Sequence, residues 1–406
     1  MMTPPPVSGV AYPSIGVTEE QERANFLSGG LTFTAAYVDN VLAGQLAQPV
    51  SGKIYTVQPF ISVQQTTPRR LASLEYTSGF TFYDPTSELN QIDQNASAIY
   101  QYRMTPRVSI ELQDAFVQSS NAFSAATSIG GTSITGSGGL ANVITPFGNR
   151  LTNQAAGGLT YQFALNAMVG GSAENDYLNY PDLSQVPGLS NSNAMTGSAF
   201  YSRRLAPAQY LGLTFLYHHI TTSPVDSTTD TYLPALFYTF YIRRNISISL
   251  MGGGEYYNTA ETGLPEVHAW TPAVTASGGY QGTHGALAAS YTRSVSAGGG
   301  LLGSYTATEA NGTASWKPTK VWTAEAVADY ALDKNESSVL FPSGEGGHSI
   351  VGTASITRTF WSALDVQLGY SRIHAHYNGI SAINNDPDSN RGFVSLVYRF
   401  TKPLGR

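Results

Sequence analysis

Cysteine is absent from all 406 residues, so the chain can build neither a disulfide framework nor a thiolate metal site. Charge is scarce as well: 12% of residues are Asp, Glu, Lys or Arg, against roughly a quarter in an ordinary soluble domain. With 21 basic and 27 acidic residues the net charge is -6, which removes the basic surface a phosphate backbone requires and argues against nucleic acid as a partner. Long apolar runs are also missing. The densest stretch, Leu233 to Ile242, is about half of the roughly 20 residues a membrane helix needs, so a helical membrane protein is excluded. Gly298, Gly299 and Gly300 are followed by no Lys and no helical pattern, so they form no phosphate loop. No lipase-type nucleophile motif is present.

What the chain has is Tyr (25), Gly (41) and abundant Ser and Thr, a composition for strands and turns. Apolar residues recur with a period of two. Leu31, Phe33, Ala35 and Tyr37 alternate with Thr32, Thr34 and Ala36. Tyr55, Val57, Ile61 and Val63 alternate with Thr56, Gln58 and Ser62, and Pro59 predicts a bulge or weak spot there. Strand, short turn and strand then repeat, with turns at Thr67-Pro68-Arg69, Thr105-Pro106-Arg107, Leu165-Asn166, Leu205-Ala206-Pro207, Arg243-Arg244-Asn245, Gly282-Thr283-His284, Pro318 and Phe360-Trp361-Ser362. An aromatic residue stands near each. Turns at this end span about two to four residues and the other connections about eight or more, the one-sided asymmetry of a transmembrane barrel. A soluble sheet would put charges on its solvent face, whereas the polar faces here are Ser, Thr, Gln and Gly. A propeller or β-helix would repeat a fixed motif, and none is found.

The last strand, Asn390 to Phe400, reads NRGFVSLVYRF, with Val394, Leu396, Tyr398 and Phe400 on one face and Ser395, Val397 and Arg399 on the other. It resembles the C-terminal strand of bacterial outer-membrane β-barrels of the porin-like kind, in which alternating hydrophobics ending in Phe form the assembly signal. Six residues, Thr401 to Arg406, follow the Phe here, where the family usually stops. The resemblance implies an all-β, antiparallel up-and-down barrel of about 18 strands, with 16 as the alternative, in the bacterial outer membrane. Residues 1–28 then form a periplasmic lead-in, 29–401 the barrel and 402–406 a tail. Met1 to Pro6 lacks the basic start and apolar core of a secretory signal, so the chain reads as a mature form.

Parity sets the candidate functional residues. With the aromatic face toward lipid, Glu75, Arg103, Glu111, Glu255, Glu325, Asp329, Asp365 and Arg399 fall on the lumen side. There they either pair across the wall or tune permeation. Tyr161, Phe163, Tyr201, Phe240, Tyr280, Trp316, Tyr398 and Phe400 form the expected aromatic belt. Asp114 falls on the lipid face, which calls for a local bulge or a position beyond the apolar band. His218 and His219 are read as ending a strand. His374 and His376 share a face at a spacing that can chelate, but they lie past the boundary marked by Tyr217 and Tyr370, where hydration is the plainer reading. No metal, cofactor or catalytic residue is expected. Ser119 to Gly158 reads as one long loop, with Ile129, Leu140, Val143, Ile144 and Phe147 as anchors, that either enters the bore or stands outside. The expected function is passive or weakly selective passage of small hydrophilic solutes by a non-enzyme embedded in outer-membrane lipid. A sheath or export barrel around a partner protein or polymer is the alternative, and a rim hydrolase comes last. A homo-oligomer or a periplasmic partner stays open.

Overall fold

A strand with Ser and Thr on one face and Leu, Tyr and Phe on the other has two edges to pair, and in lipid no water can satisfy them. The chain answers by closing its sheet. The computed structural model describes residues 25–41, 49–121, 147–184, 189–224, 226–243, 245–263, 265–296, 305–335, 346–378 and 388–404. Eighteen antiparallel strands follow one another: β1 (Phe26–Val38), β2 (Gly52–Thr66), β3 (Arg70–Asp84), β4 (Gln91–Thr105), β5 (Val108–Asn121), β6 (Phe147–Ala164), β7 (Ala167–Asn179), β8 (Asn191–Ala206), β9 (Gln209–Ser223), β10 (Ser227–Arg243), β11 (Ile246–Glu261), β12 (Val267–Gln281), β13 (Gly285–Ser296), β14 (Tyr305–Trp316), β15 (Trp322–Asn335), β16 (Gly346–Trp361), β17 (Leu364–Asn378) and β18 (Asp388–Pro403). Each pairs with its sequence neighbours, and β1 pairs with β18 from Phe26↔Pro403 to Val38↔Arg391, which closes the barrel.

The two faces differ as the alternation predicts. Large apolar side chains stay exposed on the outer face, such as Leu213 at 56% and Leu368 at 57%. The inner face carries buried hydroxyls that satisfy one another across rungs: Thr34 with Ser395 at 2.8 Å, Thr239 with Ser249 at 2.9 Å and Thr229 with Thr259 at 3.0 Å. Such pairs meet the hydrogen-bonding need without charge. Five inner rungs set a glycine directly opposite an aromatic residue: Gly30 with Phe60, Gly170 with Phe200, Gly212 with Phe237, Gly347 with Tyr377 and Gly369 with Phe393. A Cβ on Gly369 would stand 2.2 Å from the Phe393 ring. The missing side chain lets each ring lie flat on the wall, so bulk is added to the sheet and kept out of the bore.

Two outer rows mark the loop-side edge of the apolar band. Tyr217, Tyr232, Tyr256 and Trp270 stand side by side on β9 to β12, with ring centroids 5.2, 6.4 and 5.4 Å apart. One step farther from the short turns, the ladders align Asp114, Ala155, Asn175, Met195, His219, Asp230, Asn258 and His268. On β12, Trp270 and Tyr280 are ten residues apart, about 33 Å along the strand. Tilted as such strands are, that spans an apolar band about 25 Å tall.

Some expectations narrow and others change. At Pro59 the weak spot is found and not the bulge: β2 keeps one register with β3, and the ladder lapses between Val57↔Phe80 and Phe60↔Thr77. Asp114 sits in a regular ladder opposite Ala98 and Ala155 without a bulge, and it lies in the polar row just beyond the aromatic one. There Asn153 Nδ2 donates to its carboxylate at 3.3 Å. His218 and His219 lie inside β9, which runs on to Ser223. The supposed loop from Ser119 to Gly158 is strand at both ends: β5 reaches Asn121 and β6 starts at Phe147, so Phe147 belongs to a strand, and 122–146 lie outside the described residues. The anchors Ile129, Leu140, Val143 and Ile144 lie outside the described residues, as do Gly298 to Gly300. The long-loop end also has short connections, with six residues between β3 and β4, three between β9 and β10 and five between β11 and β12. The barrel spans Phe26 to Pro403, wider at both ends than the sequence boundaries; most of the lead-in, 1–24, is outside the described residues.

Candidate functional site: the inner wall

Ladder register gives each sequence-predicted charge its neighbours on the inner face. Glu75 faces Ser62 and Ser97, Arg103 faces Ser109, and Glu111 faces Gln101 and Gly158. Glu255 faces Thr271, Glu325 faces Ser315 and Ser355, and Asp329 faces Asn311 and Val351. Asp365 faces Val397, and Arg399 faces Gly30. Shared face does not mean shared environment. Glu255 is 1% and Glu111 7% exposed, whereas Glu325, Asp329, Arg103 and Arg399 are exposed.

The buried members are held by partners within the wall. Glu111 accepts a hydrogen bond from Gln101 Nε2 at 3.0 Å. Glu255 Oε2 accepts the backbone N–H of Val295 at 2.9 Å. The neighbouring β12–β13 ladder stops at Val274↔Arg293, two residues short of Val295. The carboxylate takes the donor that the broken ladder leaves over. On the exposed side, Arg399 Nη2 lies 3.7 Å from Asp365 Oδ2 and within electrostatic reach of Glu75. No described cation pairs with Glu325 or Asp329.

Register adds inner charges that sequence reading missed: Asp93, Glu174, Asp176, Glu309 and Asp333, with Arg150 and Arg391. Glu174 accepts from Gln154 Nε2 at 2.5 Å. Glu174 and Asp176 were hidden because glycines between 157 and 171 thin the alternation on β6 and β7. Parity counted back from the well-patterned β8 would have found them.

At the long-loop end the inner face also carries an apolar cluster. Val38, Ile54, Tyr83, Leu178, Tyr305 and Ile373, all at most 4% exposed, belong to one packed cluster that also takes in Tyr180 and Leu189 from the β7–β8 connection. Its members come from β1, β2, β3, β7, β14 and β17, strands spread around more than half of the barrel. An inward apolar layer in a wide barrel narrows the watery cross-section and resists ions.

The expected belt residues stand near the short turns on the outer face. Apart from the half-buried Phe240 they are 39% to 59% exposed, and Tyr161, Phe163 and Tyr201 touch in sequence, with centroids 6.5 and 6.3 Å apart. His374 and His376 share the outer face of β17, and the His348 ring of β16 lies 5.8 and 6.0 Å from them. Among the described residues no group of three or more His, Asp or Glu is arranged as metal ligands. His219 Nδ1 lies 2.9 Å from Asp230, which also accepts the Tyr217 hydroxyl at 2.7 Å.

No family model and no curated protein matches the chain. Among solved structures it is similar to OccAB4 of Acinetobacter baumannii, at 9% identity over 95% of this chain and 100% of that one, with a TM-score of 0.41. It is similar to OccK2 (OpdF) of Pseudomonas aeruginosa at 10% identity over 93% and 98%, with a TM-score of 0.43. It is likewise similar to the FrpB iron transporter of Neisseria meningitidis at 9% identity over 94% and 67%, with a TM-score of 0.44. The chain's own ladders establish what it is as a fold: a closed barrel of eighteen antiparallel strands.

Proposed function

We propose that the protein is a passive channel of the bacterial outer membrane for small hydrophilic solutes, with cations favoured over anions. The observation that carries this reading is the inner wall itself. Eighteen strands enclose more space than wall side chains fill, and the largest inner rings are laid flat over glycines, as Phe237 is over Gly212. Exposed Glu325 and Asp329 on β15 then add negative potential to a bore that stays wet. The apolar layer at the long-loop end supports size selection there. The eight charges named from sequence divide in this reading: Glu111 and Glu255 hold the wall, and Glu325 and Asp329 act on the solute.

Liposome swelling tests it. Vesicles carrying the folded protein should swell in small sugars and amino acids, and the rate should fall steeply as solute size grows. Swelling no faster than in protein-free vesicles for every solute would defeat the reading.

A further inference from the structure

Among the described residues the acidic charges outside the bore are segregated by end. None of the eight short turns contains an Asp or a Glu, while Arg69, Arg107, Lys317 and Lys320 stand exposed on them. The long-loop end is mixed, with Asp39, Asp84, Glu88, Asp182, Asp226 and Glu266 on or beside its connections and Lys53, Lys334 and Arg372 among them. At the turn end the basic side chains also point outward beside the aromatic belt. Arg203 follows Tyr201 on the outer face of β8, and Lys402 follows Phe400 on that of β18. Arg358 on β16 lies over two rings, 5.3 Å from that of Trp322 and 4.7 Å from that of Phe360.

We propose that the short-turn rim is a binding surface for anionic phospholipid headgroups. A guanidinium stacked on an interfacial ring keeps its in-plane N–H donors free for a phosphate. A long cationic side chain at the edge of the apolar band reaches the headgroup layer without leaving the barrel wall. Outward direction decides between partners. A soluble acidic protein approaching along the barrel axis would meet the turns, but it could not reach Arg203, Arg358 and Lys402 on the lipid-facing side. Among the described residues the short turns also lack carboxylates that would repel a phosphate.

The inference rests on the reading of the chain as a membrane barrel, and one experiment separates the two. Three of the four Trp residues, Trp316, Trp322 and Trp361, lie at the short-turn end, so lipids brominated in the acyl chain report on their surroundings by quenching. The folded protein is placed in mixtures of brominated phosphatidylcholine with unbrominated phosphatidylglycerol or phosphatidylcholine. Because one cation near an anionic surface contributes roughly a fivefold gain in affinity, phosphatidylglycerol should relieve quenching several-fold more effectively than phosphatidylcholine at low salt. The advantage should shrink as salt screens it. Arg107→Gln, Lys320→Gln and Arg358→Gln together should bring the ratio near one. Lys53→Gln with Lys334→Gln, at the long-loop end, should leave it unchanged. A wild-type ratio near one, a preference that survives the triple change, or an equal loss in the loop-end pair would each overturn the inference while the barrel reading stands. Absence of quenching by any brominated lipid would instead overturn the membrane reading beneath it.

Discussion

Glu255 shows what one residue's environment decides. Parity alone puts it on the inner face, and that much was legible in the sequence. Its burial was not, because Glu255 meets Val295 beyond the end of the neighbouring β12–β13 ladder, away from any local pattern. A carboxylate that holds a stray N–H is a structural part, so removing it leaves a buried donor unpaired. We predict that Glu255→Ala destabilises the folded barrel by about 1–3 kcal/mol, measured by urea unfolding in vesicles, and that Glu255→Gln, which keeps an acceptor, loses less. Equal stability of the Ala variant and the parent would show that Val295 finds another partner. Asp114 teaches the converse. Its outward place was legible, but its height depended on the row of Asn175, His219, Asp230 and Asn258 beside it, which only register reveals.

Among the strands, the glycine-aromatic rungs set how wide the bore can be. Gly369 and Phe393 are the cleanest case, since the three nearest atoms to an added Cβ all belong to the Phe393 ring. Gly369→Ala should cost about 1–3 kcal/mol by overpacking. Phe393→Leu on that background should recover part of the loss, so the two changes are non-additive in a double-mutant cycle of unfolding free energies. Additive effects would mean that the ring already has room to move. The strand number was legible because each short turn is bracketed by alternation and an aromatic residue, as around Thr105-Pro106-Arg107. The loop lengths were not. Loop residues carry no period, so β6 was hidden by Gly157 and Gly158, and the three-residue link from β9 to β10 passed for part of a longer connection. The rim of cations at the short turns was present in the sequence all along, and it became visible only when turns from distant segments were brought to one end.

For the whole molecule, the inner wall's balance of charge governs what passes. Arg399 is offset by Asp365 and Glu75, so of the sequence-predicted charges left exposed on the wall Glu325 and Asp329 outnumber Arg103. Exchanging both for their amides should lower the ratio of potassium to chloride permeability. An unchanged ratio in the variant would place selectivity elsewhere, with the apolar layer around Leu178, Tyr305 and Ile373 as the next place to look. The most direct measurement is the current through the folded protein in a planar bilayer under a potassium chloride gradient. The account predicts discrete, long-lived open steps with a reversal potential of cation-selective sign. Silence from a verified folded barrel would contradict the open bore on which the proposed function depends.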